Sequence, residues 1–126
     1  MLIAGGTASN DLDIVELFNL ETLTSCVVNV KLDKTRYRHT GDGNLVCGGW
    51  DNTPSPIIID NIHSTCFNVK TRETINLMSE RLGHTSWSTA SGVFLLGGIP
   101  SSNLRGTELI TGTSTQLGFA LQYDTK

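Results

Sequence analysis

The chain of 126 residues has no excess of basic side chains: 9 lysine and arginine residues stand against 12 aspartate and glutamate residues, and the formal net charge is −3. Proteins that bind nucleic acid through its phosphates carry a basic patch, so this composition argues against nucleic acid as a partner. Long apolar runs are also missing, and none approaches the roughly 20 residues that a helix needs to cross a bilayer. We therefore expect neither nucleic acid nor a membrane among its partners.

The patterns that carry catalytic or metal chemistry are scarce as well. The three cysteines and three histidines form no Cys-x-x-Cys or His-x-x-x-His pair, which are spacings typical of zinc sites. No group of residues is spaced as a nucleophile with its base, an acid–base pair or a metal cage. We therefore expect no metal, no cofactor and no enzymatic activity. Glycine, in contrast, is abundant with 13 residues, and a chain rich in Gly, Thr, Ser and Asn is typical of an all-β protein with many turns.

Three short apolar runs each end in two consecutive glycines. They occupy residues 2–6 (LIAGG), 45–49 (LVCGG) and 94–98 (FLLGG). A short continuous apolar run is typical of a strand buried on both faces. A glycine pair at its end lets the backbone turn sharply or approach a neighbour closely. Because the runs recur at intervals of about 45 residues, they indicate a repeat architecture.

Further columns of similar residues accompany the glycine pairs. Residues 36–40 and 81–85, which precede the second and third pairs, both read Arg-x-x-His-Thr. After the glycines, Phe18, Phe67 and Ile110 align in one column, and Glu16 matches Glu108. The order of these columns is the same in each repeat, so the repeats are expected to fold alike.

These columns resemble the kelch repeat, whose consensus runs Arg-x-Gly-His-Ser/Thr, then an apolar strand ending in Gly-Gly, then an aromatic strand followed by Asn/Asp-x-x-Thr. The resemblance covers nearly the whole chain, and residues 81–85 and 67–71 fit it well. The family usually carries a tryptophan a few residues after the aromatic. Here Ser25 and Thr74 stand near that place, which indicates a divergent subfamily. The resemblance implies a β-propeller of four-stranded antiparallel blades.

The length allows about three blades, whose strands we label a to d along the chain. Residues 1–35 supply strands b, c and d, residues 36–80 a second blade, and residues 81–126 a third. We therefore expect an all-β, kelch-type propeller sector whose first blade lacks its innermost strand. We expect it to be a fragment of a longer propeller, and the alternative is that it closes a ring with other chains. A sector expressed alone would expose apolar blade faces, which predicts self-association.

The cysteines leave two interpretations open. Cys47 and Cys66 face each other across the predicted hairpin of strands b and c, at a position that points into the interior. They are either two small buried hydrophobic side chains or a cross-strand disulfide between opposed Cβ atoms. An odd total leaves Cys26 over, and both a cytoplasmic and a secreted location stay open. The corresponding pairs in the other repeats are apolar, namely Ala4 with Leu17 and Leu96 with Leu109.

Candidate binding residues lie where the b–c loops and the links between blades meet. The middle b–c loop is the longest and opens with Trp50 and Asp51. A long loop is a frequent place for function, and a tryptophan there is either a binding anchor or a cover for the end of the blade. Arg36 and Arg81 lie on the links. Kelch adaptors of ubiquitin ligases hold acidic peptides through arginines of this column, so the resemblance makes both arginines candidates; the alternative is that they cap carbonyl groups between blades.

We accordingly expect a protein-interaction module that binds another protein or an acidic peptide. One alternative is a fragment of a galactose-oxidase-like enzyme, a class that shares the repeat but builds a copper site from tyrosine, histidine and a Tyr–Cys crosslink. The only tyrosines, Tyr37 and Tyr123, stand in no recognisable site motif. A second alternative is an extracellular propeller that binds glycans through Trp50. His39 and His84 recur in one column beside threonine, which predicts a scaffold role for both.

Overall fold

The computed structural model describes residues 1–6, 12–51, 62–99 and 106–112, together with the backbone of residues 114–120. Its regular structure is entirely β, and no helix with the length and apolarity needed to cross a membrane occurs in that part of the chain. The strands are β1 (Leu2–Ala4), β2 (Ile14–Asn19), β3 (Thr24–Lys31), β4 (Thr40–Asp42), β5 (Leu45–Cys47), β6 (Thr65–Asn68), β7 (Thr74–Asn76), β8 (Thr85–Thr89), β9 (Gly92–Leu96), β10 (Gly106–Ile110) and β11 (Ser114–Ala120).

The strands form three antiparallel sheets in which spatial order follows chain order. Sheet 1 is β1-β2-β3, sheet 2 is β4-β5-β6-β7, and sheet 3 is β8-β9-β10-β11. Local turn chemistry favours these hairpins. Asn19 Oδ1 accepts hydrogen bonds from the N–H groups of Glu21 and Thr22. In the turn between β6 and β7, Asn68 Oδ1 accepts the equivalent bonds from Lys70 and Thr71. The prediction of an all-β chain with antiparallel sheets of three and four strands is confirmed.

The sheets stack face to face, with sheet 2 in the middle. Alternate residues of β5 point to opposite sides, so Val46 packs toward sheet 1 while Cys47 packs toward sheet 3. A strand covered on both faces needs apolar side chains at every position, which explains the continuous apolar run of β5. The core between sheets 1 and 2 holds Val15, Leu32, Val46, Phe67 and Val69; the core between sheets 2 and 3 holds Cys47, Cys66, Leu77, Val93, Leu95 and Ile110.

The first glycine of a pair lies where the next sheet approaches. A Cβ atom on Gly48 would stand 2.4 Å from the carbonyl oxygen of Arg81 and 2.7 Å from Cε1 of His84, and the φ of this residue is +61°. A Cβ atom on Gly5 would be similarly close to the carbonyl oxygen of Arg36 and to Cε1 of His39, in the link that leads into sheet 2. The second glycine then donates its N–H across the junction, from Gly49 to the Arg81 oxygen at 2.8 Å. The glycine pairs therefore allow the backbones of adjacent sheets to touch.

The observed strand register corrects two of the predicted cross-strand pairs. Cys47 lies opposite Cys66 as predicted, but Ala4 lies opposite Val15 instead of Leu17, and Leu96 opposite Thr107 instead of Leu109. The side chains of Val15, Cys66 and Thr107 occupy one structural column, and each is 0% exposed. The predicted column of Phe18, Phe67 and Ile110 changes by the same two residues. The observed equivalents of Phe67 are Glu16 and Glu108.

Candidate functional site

The predicted binding residues gather at the end of the sheets where the glycine pairs lie, which we call the glycine end. Beyond the pairs the chain continues as isolated β-bridges, between Tyr37 and Trp50, Trp50 and Ile62, and Leu82 and Ile99. These five side chains form a small apolar cluster apart from the two cores. The cluster fixes the links between sheets and thereby the polar residues that they carry.

Arg36 belongs to the interior of the glycine end and is 0% exposed. Its Nη1 donates to the carbonyl oxygens of Gly48 and Thr65 at 2.9 and 2.8 Å, and its Nη2 binds the Thr65 hydroxyl at 2.7 Å. Nη2 also forms an ion pair with Asp33 at 2.9 Å. Burial lowers the pKa of Arg36, and the charge of Asp33 opposes this shift. Of the two roles that the sequence left open for Arg36, the structure shows the capping role, and the capped carbonyl groups belong to its own sheet.

Arg81 repeats this arrangement in sheet 3 and is 2% exposed. Its Nη1 donates to the carbonyl oxygen of Gly97 at 2.6 Å, and its Nη2 to Ser79 Oγ at 3.1 Å and to the carboxylate of Glu108. Glu108, itself 1% exposed, also accepts the N–H of Met78. Arg81 therefore also takes the capping role that the sequence left open beside the binding role. Glu108 was part of a column in the sequence alignment of the repeats, but the ion pair with Arg81 was not predicted.

Trp50 is 6% exposed and covers the end of sheet 2. Its ring centroid lies 5.0 Å from that of Tyr37, with the planes tilted by 41°. Its Nε1 has no hydrogen-bond partner among the described residues, and the same holds for Oδ1 of the half-buried Asp51. The ring therefore takes the covering role that the sequence left open beside the anchor role. The remainder of the predicted long loop, residues 52–61, lies outside the described residues, as does Tyr123.

Among the described residues of the glycine end, Arg38 is the arginine whose side chain is exposed to solvent. Its φ is +54°, in the left-handed region, and its counterpart in the next link is Gly83 with φ +62°. The Arg38 carbonyl oxygen accepts the N–H of Gly83 at 3.0 Å, which joins the two links. The guanidinium carbon lies 5.9 Å from the centroid of the Tyr37 ring, within range of a cation–π contact. Arg38 is thus positioned by its backbone and by an aromatic neighbour.

The three histidines tie separate segments together. His39 Nε2 lies 2.8 Å from the Ala4 carbonyl oxygen, His84 Nε2 lies 2.7 Å from the Thr40 hydroxyl, and His63 Nε2 lies 3.0 Å from the Thr35 carbonyl oxygen. Burial is the main cause that lowers the pKa of each imidazole. The pKa of His84 falls to about 3, because the nearby Arg81 charge adds to the effect of burial. All three are therefore neutral at pH 7.

Of the two interpretations that the sequence left open for Cys47 and Cys66, the structure contains the disulfide. The bridge joins β5 to β6 inside the core between sheets 2 and 3. Cys26 is a free, exposed thiol on β3.

The described residues bring no three His, Cys, Asp or Glu side chains together in an arrangement that could hold a metal ion. No protein-family model matches the chain, and no curated protein matches it. Its function is therefore inferred from the geometry of its own residues.

Proposed function

We propose that this chain is a sector of a kelch-type β-propeller and acts as a protein-interaction module that binds an acidic peptide at its glycine end. Arg38 is the main contact in this proposal, in place of the buried Arg36 and Arg81.

Repetition at the sheet junctions supports the architecture. The second glycine of the first two pairs donates its N–H to the carbonyl oxygen of the link arginine in the next sheet, from Gly6 to Arg36 at 2.7 Å and from Gly49 to Arg81 at 2.8 Å. Four-stranded meanders that stack through equivalent contacts are the building units of propellers. Such units contact only their neighbours, so the same junction is used again at each step.

The conformation of Arg38 is the observation that carries the binding site. A non-glycine residue in the left-handed region costs about 1 kcal/mol relative to a relaxed backbone, and the chain places glycine at the equivalent position 83. Arg38 nevertheless makes no ion pair with any described residue. Leu23 and Arg72 share this conformation within hairpin turns, whereas Arg38 lies in a link between sheets. Strained residues outside such turns concentrate at functional sites. A guanidinium that is exposed and oriented by Tyr37 is suited to a carboxylate, which it binds through two parallel hydrogen bonds.

Replacement of Arg38 by glycine tests the site without disturbing the fold. Asp/Glu-rich peptides on an array supply the probe, and fluorescence anisotropy with the best of them measures affinity. Since hydrogen bonds to charged groups contribute about 1.5–3 kcal/mol, Arg38→Gly should weaken binding by about 10- to 100-fold. The unfolding free energy should stay equal or rise, because glycine accepts this backbone conformation without strain.

Arg72 offers a matched control. It is also an exposed arginine with a positive φ, +64°, but it lies in the turn between β6 and β7 at the opposite end of sheet 2. Arg72→Gly should leave peptide affinity unchanged. Equal loss of affinity in both variants would mean that net charge alone drives binding, and unchanged affinity in Arg38→Gly would remove Arg38 from the site.

A further inference from the structure

The strand β3 leaves its outer backbone edge open. It is the last strand of sheet 1 in the order β1-β2-β3, so within the described residues its outer edge pairs with no other strand. It is also the longest of the described strands, and Lys31 is its only charged residue. The corresponding strand of sheet 2, β7, spans Thr74–Asn76 alone. Proteins protect such edges by short strands, charge or proline, so β3 presents an unprotected edge that another strand can join.

The register of β3 shows which of its backbone groups point outward. Phe18 donates its N–H toward β1, so the backbone groups of its neighbour Leu17 point the other way, toward Cys26 of β3. The backbone groups of Cys26 therefore bond within sheet 1. Because these directions alternate along a strand, the N–H and C=O groups of Ser25 and Val27 point out of the sheet. The side chains of all three β3 residues are exposed.

The regular part of this edge is short. Consecutive pairing with β2 covers residues 24–27, and a bulge then interrupts the ladder. On one side of this stretch lies the turn between β2 and β3. On the other side, Nη2 of Arg72 from sheet 2 lies 3.5 Å from the carbonyl oxygen of Asn29 and covers that position. Ser25 and Val27 are therefore the residues through which a regular antiparallel strand can pair with this edge.

A second copy of β3 satisfies both residues at once. In an antiparallel pair of β3 strands with a two-fold axis at Cys26, Ser25 of each copy lies opposite Val27 of the other. Each such pair can exchange both of its N–H···O=C bonds. An axis at Ser25 or at Val27 would instead place the other residue opposite the turn or the bulge. The edge is thus complementary to itself in one register, which favours a second copy as its occupant.

The same register brings the two Cys26 residues face to face. They form a pair without mutual main-chain hydrogen bonds, in which the Cα atoms are about 4.5 Å apart and the side chains are closest. Cys47 and Cys66 are a pair of the same kind, because the N–H of Gly48 donates to the carbonyl oxygen of Thr65. These two cysteines form a disulfide. The position of Cys26 in the paired edges is therefore one that this fold already uses for a bridge.

We propose that two copies of this chain pair antiparallel through β3, with the two-fold axis at Cys26, and that the two Cys26 thiols then form an intermolecular disulfide. The oxidant is a low-molecular-mass disulfide. One Cys26 thiolate attacks it, expels one small thiolate and forms a mixed disulfide, and the second Cys26 thiolate attacks this bond and expels the other. Two chain thiols are oxidised, one small disulfide is reduced to two thiols, and these take up the protons. The contact does not involve Arg38.

The position of the thiol tests the register. Cys26→Ser is combined with Ser25→Cys in one variant and with Val27→Cys in another, and oxidised glutathione is added to each and to the native chain. Non-reducing electrophoresis should show a covalent dimer of the native chain that forms at least about 10-fold faster than that of either variant, because thiols that are not opposed are too far apart to bridge. A mixture of the two variants should form the mixed dimer in preference to either homodimer, since positions 25 and 27 are opposed.

Val27→Pro tests the main-chain contact. Proline removes an N–H that points out of the sheet, so the thermal melt should stay close to that of the native chain. The Cys26 cross-link should form about 10-fold more slowly, since both copies of one interchain hydrogen bond are lost. Val27→Thr keeps the N–H and the branched side chain and should cross-link at the native rate.

Three results would overturn the proposal. The first is a single cross-linking rate for thiols at positions 25, 26 and 27, which would indicate random collision. The second is a native rate in folded Val27→Pro. The third is a mixed disulfide of Cys26 with glutathione that yields no dimer.

Discussion

Replacement of Gly48 by alanine tests whether the glycine pairs hold the sheets together. The new Cβ atom would stand 2.4 Å from the Arg81 carbonyl oxygen and 2.7 Å from His84 Cε1. The oxygen cannot move away without breaking its hydrogen bond from the N–H of Gly49. Overpacking of this kind destabilises by about 1–3 kcal/mol. Left-handed backbone strain on alanine adds about 1 kcal/mol. We expect Gly48→Ala to lower the unfolding free energy by roughly 3 kcal/mol in total.

Gly43 separates the two contributions. Its φ is +60°, against +61° at Gly48, and a Cβ atom there would meet nothing within 4 Å. Gly43→Ala therefore carries the backbone strain alone and should cost about 1 kcal/mol. Urea denaturation followed by tryptophan fluorescence measures both variants, with linear extrapolation to water. Equal losses in the two variants would refute the reasoning, because the junction would then contribute nothing at Gly48.

Three further predictions concern the core, the histidines and the outer faces. Reduction of the Cys47–Cys66 bridge should lower the unfolding free energy by about 3 kcal/mol, measured by denaturation with and without reductant; thiol titration of the denatured, unreduced chain should find only Cys26, and three thiols would contradict the bridge. The pKa of His84 is about 3 in the folded state and near 6.5 in the unfolded state, so the unfolded state binds more protons between these two pH values. The stabilisation from neutral His84 should therefore be fully present above pH 6.5 and should decline as the pH falls toward 3. The decline from this residue should approach about 1.4 kcal/mol per pH unit, and His84→Gln should have a shallower pH profile in thermal melts; an unchanged profile would contradict a neutral His84. Trp87 is 65% exposed on the outer face of sheet 3, so we expect the chain to self-associate through this face. In sedimentation velocity, Trp87→Ser should reduce the self-association, and a native chain that stays monomeric would contradict this prediction.

The glycine pairs and the Arg-x-x-His-Thr segments were sufficient to predict three antiparallel sheets, because both features mark places where the backbone itself is constrained. The strand register was harder to predict. In sheets 1 and 3 the predicted partners of Ala4 and Leu96 were two residues away from the observed ones. Side chains on a strand alternate with a period of two, so a shift of two residues keeps every side chain on the same face. The apolar pattern therefore fits both registers equally well.

The sequence left open whether the link arginines bind a partner or cap carbonyl groups, because a charged residue in a loop is usually solvated and the chain alone does not identify the carbonyl groups. Arg36 and Arg81 are buried because carbonyl oxygens converge on them at the glycine end, and those oxygens belong to residues far away in the chain. One local signal was present. Glu108 is a charged residue in a strand whose other side chains are those of Thr107, Leu109 and Ile110, and a charged residue is rarely buried unless it is paired. A search for its partner among the recurring arginines would have found Arg81.

Comparison of the two link arginines separates what is constant in the repeat from what varies. Both donate from Nη1 to the carbonyl oxygen of the first glycine of their own sheet, at Gly48 and at Gly97. The left-handed turn at that glycine removes its carbonyl from the strand ladder, and the arginine supplies the buried donor that the carbonyl needs in sheets 2 and 3. The counter-ion, by contrast, comes from Asp33 within the link in sheet 2 and from Glu108 on β10 in sheet 3.

The position that holds Glu108 in sheet 3 is occupied by Phe67 in sheet 2, where Asp33 already neutralises the arginine. A carboxylate at this position is therefore present when the arginine lacks a local partner and is replaced by an apolar side chain when it has one. Burying an unpaired carboxylate is costly, so each sheet keeps one carboxylate for each arginine. Sheet 1 departs from this rule, because Glu16 occupies the position without an arginine in the described part of the chain. Glu16 is half-buried whereas Glu108 is 1% exposed, so a carboxylate at this position is fully buried only where an arginine pairs with it.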